Sequence, residues 1–404
     1  MQTLITHANC LDVRAGAVVP NQNVLIDHAR IQQISAAPID APQAKRIDAS
    51  GKFLMPGLCD SHVHATAITP NFPLLEILSP FYVGAKSADI LHGMLMRGFT
   101  TVRDAGGADF GLAQAVEEDA IAGPRILFCG NALSQTGGHA DMRAPGQFQF
   151  NGCFCCAGLG RVCDGVTEVR RAARDEIRKG ATQIKIMGSG GVSSPTDRIT
   201  STQYSLEEIT AIVREAEAAS IYVMAHAYTA RAINRLLECG VRTIEHGNLL
   251  DERSCELFLE HGAWLTPTMV AYEALAEEGV EAGMAPELQR KVYDVLEAGY
   301  KALELANRAG VKMLYGSDLL GSLHRHQLRE FTIRSRFISN ADLIRAATCN
   351  AADAYGQTGD FGEILVGARA DLLILNANPL ANIDVLVAPQ THLETVMKAG
   401  VVYT

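Results

Sequence analysis

The chain has 404 residues, a formal net charge of −10, and 48% hydrophobic against 20% charged residues. That composition excludes a disordered chain and is long enough for a barrel plus a smaller domain. The acidic balance argues against a nucleic-acid partner, and no apolar run reaches the length of a membrane span, so none is expected.

The first residues alternate apolar and polar side chains with turn signals between them: Thr3–Thr6, Ala17–Val19, Asn23–Asp27 and Arg30–Ile34. This period of two predicts a small antiparallel sheet, ended by Pro56-Gly57. No secretory signal is read at the start, and the ten dispersed cysteines suit a reducing compartment, so a cytoplasmic location is expected. Strand-like text returns at Gly362–Leu375, Leu393–Lys398 and Gly400–Tyr403. Neither end is large enough alone, so residues 1–55 and 357–404 are expected to form one composite β-sandwich domain.

Between them, strands and helices alternate. Eight strands are predicted near residues 58–64, 100–104, 125–129, 183–187, 222–226, 242–246, 263–268 and 312–316. Helices are predicted over Val166–Lys179, Ser205–Ala219, Ala230–Cys239 and Pro286–Ala309, with a capping-box pattern at Ser205 and Glu208. Eight such units make residues 56–356 an α/β domain of the (β/α)8 TIM-barrel type. A doubly wound sheet fits less well, because no glycine-rich phosphate fingerprint follows the first strand. Leu133–Asp141 opens a long glycine-, cysteine- and proline-containing stretch to about Gly165, placed as the third loop over the pocket. Its Cys153, Cys155 and Cys156 lack a second CxxC pair, so free thiols fit better there than a Zn or Fe–S cluster, which stays the alternative.

Five strand ends carry residues able to bind a divalent metal: His62 and His64, Lys185, His226, His246 and Asp318. His62 and His64 share a face because strand side chains repeat every second residue. Imidazole and carboxylate suit Zn2+ and similar ions, and the loop end of a barrel is where chemistry is built. Lys185 is unusual in an apolar strand: it is either paired with a buried carboxylate, or neutral and able to take up CO2 as a carbamate bridging two metals. Tyr228 follows His226 by two and can face the same pocket. His139 and Arg231 are candidates for substrate contact or solvated residues, and His324-Arg325-His326 reads as a rim segment.

The order HxH, Lys, His, His, Asp resembles the amidohydrolase superfamily, in the subtype with two metals and a carboxylated lysine. Arg97–Gly107, Leu133–Asp141, Ala225–Tyr228 and Arg242–Asn248 resemble its prolidase-like metallopeptidases, a group that includes Xaa-Pro dipeptidases, Xaa-Arg carboxypeptidases and ochratoxin amidohydrolases. The resemblance implies that His62, His64 and Asp318 hold one metal, that His226 and His246 hold the other, that carboxylated Lys185 joins them, and that both ions are zinc. It implies attack by a metal-bridging hydroxide on the amide of a dipeptide or N-acyl amino acid, foremost Xaa-Pro or N-acyl-Pro. Asp318 then serves as proton acceptor and donor, Tyr228 as hydrogen-bond donor to the carbonyl, and His139 with Arg231 as contacts to the free carboxylate. Ochratoxin-type aryl amides of phenylalanine and Xaa-Arg or Xaa-Lys peptides are the alternative substrates. A deaminase fits less well, since His226-Ala-Tyr-Thr229 lacks the expected Glu, and a non-catalytic scaffold less still, since no ligand is missing. A homo-oligomer is the expected assembly.

Overall fold

The computed structural model describes residues 2–147 and 157–403, so the Cys153, Cys155 and Cys156 cluster lies outside the described residues. The chain divides into two units, residues 1–60, 92–101 and 331–404, and residues 61–91 with 102–330. The first unit extends beyond the expected 1–55 and 357–404. No helix among the described residues is long and apolar enough to cross a membrane.

In the first unit, Gln2–Asp12, Ala17–Asp27 and Arg30–Ser35 pair antiparallel in sequence order. Phe53–Pro56 joins the two termini: it runs parallel to Gln2–Asp12 and antiparallel to Leu372–Leu375. Alternation sorts the side chains. Ile5, Val24 and Ile26 meet Leu54, Leu372, Ile374 and Met397 in one core, while Leu4 and Leu25 meet Ile39, Ala41 and Ala44 in another. The strands form a single hydrogen-bonded sheet of eight, apolar on both faces. Of the expected run Gly362–Leu375, only Leu372–Leu375 is strand. Gly362 and Gly367 take φ of 78° and 91°, which turns the intervening backbone away from the ladder.

Residues 58–313 carry eight strands of the β/α alternation, here β1 (Leu58–Val63), β2 (Phe99–Asp104), β3 (Arg125–Phe128), β4 (Gln183–Met187), β5 (Tyr222–Thr229), β6 (Thr243–Leu249), β7 (Trp264–Thr266) and β8 (Lys312–Met313). β1, β2 and β3 are neighbours in one sheet, and β4 to β8 pair parallel in order. Ala132–Ser134 continues β3 and pairs with β4 through Leu133 and Ile186. Past β8, the Tyr315 carbonyl accepts from the Ser61 amide of β1 at 2.7 Å. The succession thus returns to its start, the connectivity of a (β/α)8 barrel. Helices Gly165–Arg178, Leu206–Ala218, Ala230–Glu238 and Pro286–Ala309 match the predicted spans closely, and Ser205 and Glu208 form the capping box.

Candidate active site

Every strand end picked out in the sequence opens on one cavity, lined by His62, His64, Lys185, His226, His246 and Asp318 together with His139 and Tyr228. The rings sit close: His62 to His246 is 5.0 Å between centroids, His226 to His246 is 4.6 Å, and His62 to His64 is 5.4 Å. Asp318 faces His62 Nε2 at 3.4 Å and His64 Nε2 at 3.2 Å through one oxygen, and His246 Nδ1 at 3.9 Å through the other. Ligand atoms of His62, His246 and Asp318 all lie within 4.8 Å of one another. That group draws on both of the ligand sets the resemblance implies.

Backbone geometry aims these groups. Strict alternation would send Glu245 and His246 to opposite faces, yet both serve the site. His246 has φ of 76°, and Thr268 and Asp318 each have φ near 50°. Left-handed backbone is uncommon for such residues and clusters where function demands a particular aim.

Each histidine has one ring nitrogen committed to the protein. His62 Nδ1 meets Glu245 Oε2 at 2.8 Å, His64 Nδ1 the Gly106 carbonyl at 2.8 Å, His226 Nε2 the Gly190 carbonyl at 3.1 Å, and His246 Nδ1 the Thr268 hydroxyl at 2.8 Å. Such bonds fix ring tautomer and orientation, as metal-ligating histidines require. Burial holds His226 and His246 well below the usual imidazole range, hence neutral. Burial opposes the Asp318 charge, but the surrounding histidines outweigh it and hold the carboxyl well below its ordinary value. Lys185 is 1% exposed, and among the described residues it forms no ion pair or hydrogen bond. Burial lowers its pKa, favouring the neutral amine. This donor set fits a divalent-metal centre.

Sequence reasoning missed the support beneath this layer. Arg103 is fully buried and donates to the Ser61 carbonyl at 2.7 Å, Thr243 Oγ1 at 3.0 Å and Glu245 Oε1 at 2.9 Å. Burial opposes the Glu245 charge, but Arg103 and His62 bring its carboxyl down from 4.5 to about 2. A carboxyl whose folded pKa lies below its unfolded one contributes stability present above the unfolded value and lost as pH falls through the folded value. Glu245→Gln is therefore expected to flatten the acid limb of stability. The gap in unfolding free energy between wild type and variant should shrink by about 3 kcal/mol between pH 6 and pH 2. Urea unfolding across that range measures it, and a gap independent of pH would show that folding leaves the carboxyl's pKa unchanged.

His139 stacks on His226 with centroids 4.2 Å apart and planes 27° from parallel. Its Nδ1 is 2.7 Å from Ser194 Oγ and 3.4 Å from Asp197 Oδ2, and its amide donates to Gln203 Oε1 at 2.9 Å. Lys291 donates to the carbonyls of Gly191, Ser194 and Asp197 at 3.2, 2.9 and 2.9 Å, pinning the turn that carries these partners. A Cβ at Gly191 would lie 2.0 Å from the His139 ring, so only glycine allows this approach. Tyr228 is fully buried and accepts from the Tyr272 hydroxyl at 3.1 Å.

Two sequence candidates lie elsewhere. Arg231 is exposed on the helix Ala230–Glu238, whose buried face is Ala232, Ile233, Leu236 and Leu237, and it does not line the cavity. His324 and His326 do not line it either, and His326 Nε2 is 2.8 Å from Glu278 Oε1.

The amidohydrolase family profile matches residues 53–403. The chain belongs to the amidohydrolase family. Among relatives, ochratoxinase from Aspergillus niger is 32% identical over 354 residues, 84% of this chain and 74% of that protein. A prolidase solved with N-methylphosphonate-L-proline is 49% identical, with a TM-score of 0.97 over 100% of both chains. A Xaa-Pro dipeptidase with methionine in its active site is 28% identical, with a TM-score of 0.88 over 100% of both chains.

Proposed function

We propose that this amidohydrolase cleaves the amide bond of a dipeptide or N-acyl amino acid with a free carboxylate, foremost Xaa-Pro or N-acyl-Pro. The observation that carries the reading is Lys185, buried and, among the described residues, unpaired in a cavity it shares with His62, His64, His226, His246 and Asp318. An ammonium in that setting is costly unless it has another role, and a carbamate between two cations gives it one. His62, His64 and Asp318 would hold one divalent ion, His226 and His246 the second, with carboxylated Lys185 shared. When bound, such ions, zinc being the best fit to this donor set, supply Lewis acidity that acidifies water and polarises a carbonyl.

The chain's own groups complete the reaction. Asp318 is the proton acceptor for the attacking water and returns that proton to the departing amine. Tyr228 receives a hydrogen bond from Tyr272, which frees its own hydroxyl proton for the developing oxyanion. Burial raises the Tyr228 pKa, so it stays a neutral donor. His139, oriented through Nδ1 by Ser194 and Asp197, offers its other nitrogen to the substrate carboxylate. The proline analogue held by the 49% identical prolidase supports a prolyl leaving group. Similarity to ochratoxinase supports aryl amides of phenylalanine as the second reading.

The test is a panel of Xaa-Pro, N-acyl-Pro, Xaa-Arg and aryl-amide-Phe substrates with zinc-loaded protein, alongside elemental analysis. Highest kcat/KM on the prolyl substrates is expected, with two ions bound per chain. No turnover of any of them by fully loaded protein would refute the hydrolase reading.

A further inference from the structure

The cavity has two unlike walls. Opposite in character to the histidine cluster, Phe72, Leu75, Met142, Leu159 and Leu320 line it as part of one hydrophobic cluster. Glu76 is the one carboxylate this apolar wall contributes to the lining. It sits on the short helix Phe72–Ile77, where residues 72, 75 and 76 fall on one face by their spacing, and Phe72 and Leu75 are buried.

Among the described residues, Glu76 forms no ion pair and no hydrogen bond. Arg143, beside the lining residue Met142, is already bound to Asp141, with Nε 2.7 Å from Oδ1. Burial, and then the Asp141 charge, raise the Glu76 carboxyl above its ordinary value. A half-buried carboxylate without a counter-charge destabilises an apolar wall. A ligand that brings the missing cation removes that cost.

We propose that Glu76 recognises a cationic amine on the acyl half of the substrate. The enzyme then prefers dipeptides bearing a free amine over N-acyl amino acids and aryl amides. This rests on the hydrolase reading above: with the carboxylate end at His139 and the scissile carbonyl at the histidine cluster and Tyr228, the acyl half is left to the apolar wall. An apolar side chain packs on Phe72 and Leu75, and the ammonium meets Glu76. The cation has two sources, the α-amine of the first residue or a lysine-type side chain.

Leu-Pro, N-acetyl-Leu-Pro and N-acetyl-Lys-Pro separate them in the zinc-loaded enzyme. For an α-amine, Glu76→Gln lowers the kcat/KM ratio of Leu-Pro to N-acetyl-Leu-Pro by about tenfold, the worth of one charge-assisted contact. For a side-chain amine, the ratio of N-acetyl-Lys-Pro to N-acetyl-Leu-Pro falls instead. Both ratios staying within about twofold overturns the proposal. A second measurement needs no turnover: calorimetric binding of L-leucinamide, N-acetyl-L-leucinamide and N-α-acetyl-L-lysinamide to the loaded wild type and variant. Stronger binding of an amine-bearing probe that disappears in Glu76→Gln supports the proposal, and equal binding of all three, or a preference the variant keeps, overturns it. If no prolyl amide is cleaved by wild type, the hydrolase reading fails while the binding comparison still decides Glu76.

Discussion

Lys185→Ala is expected to lower kcat/KM on the best prolyl amide by on the order of 10³-fold or more, while the protein stays folded. The two halves of that expectation have one cause. The Lys185 side chain is buried without an ion pair among the described residues, so removing its amine relieves a desolvation cost rather than breaking a bond. Stability should therefore hold or rise, although deleting a buried aliphatic stem offsets part of the gain by leaving a cavity. A lysine kept for structure would give the opposite pattern, lower stability with activity per folded molecule intact. Bound metal should drop below two ions per chain by elemental analysis. Millimolar acetate or propionate should restore part of the activity, since a free carboxylate offers the same pair of oxygens as the carbamate. A variant that keeps two ions and activity within about tenfold of wild type would show that Lys185 has no part in the centre.

Much of this arrangement was legible because it is local. β-strands display side chains with a period of two, so His62 and His64, and likewise His226 and Tyr228, could be placed on one face from spacing alone. The helix Pro286–Ala309 has proline at its first position and Gly310 at φ of 79° just past its end, both of which the text carries. What the sequence hid depends on contacts between distant residues or on a broken local rule. Glu245 was passed over because alternation with His246 sends it away from the site, and only the φ of 76° at His246 reconciles the two. Lys291 lies 94 to 100 residues from the carbonyls it holds, and nothing in its own helix marks it. Arg231 takes the second of its two expected places: the helix begins at Ala230, and position 231 is solvated on its exposed face. Glu245 did carry one readable signal, an acid in a strand that is otherwise uncharged, much the oddity that drew attention to Lys185.

Asp318→Asn carries the second large expected effect, and its size should depend on the leaving group. The carboxyl is held well below its ordinary pKa by His62, His64 and His246, so it is ionised throughout the neutral range and able to accept a proton. Asparagine keeps the shape and loses that capacity. For an amide, kcat should fall by roughly 10³-fold, because the departing amine must be protonated as it leaves. For an ester of N-acyl-proline analogues with a nitrophenolate leaving group, that proton is not needed, and the loss should be roughly tenfold or more smaller. Asp318 is also a candidate metal ligand, and this comparison separates the two roles: a variant that simply loses an ion slows amide and ester alike. Its pH profile adds a second distinction. Wild-type kcat should fall only at acid pH, where a carboxyl with a depressed pKa finally protonates, and that limb should vanish in the variant. Equal losses on amide and ester, with ion content preserved, would leave Asp318 no proton to carry and assign the transfer to another group.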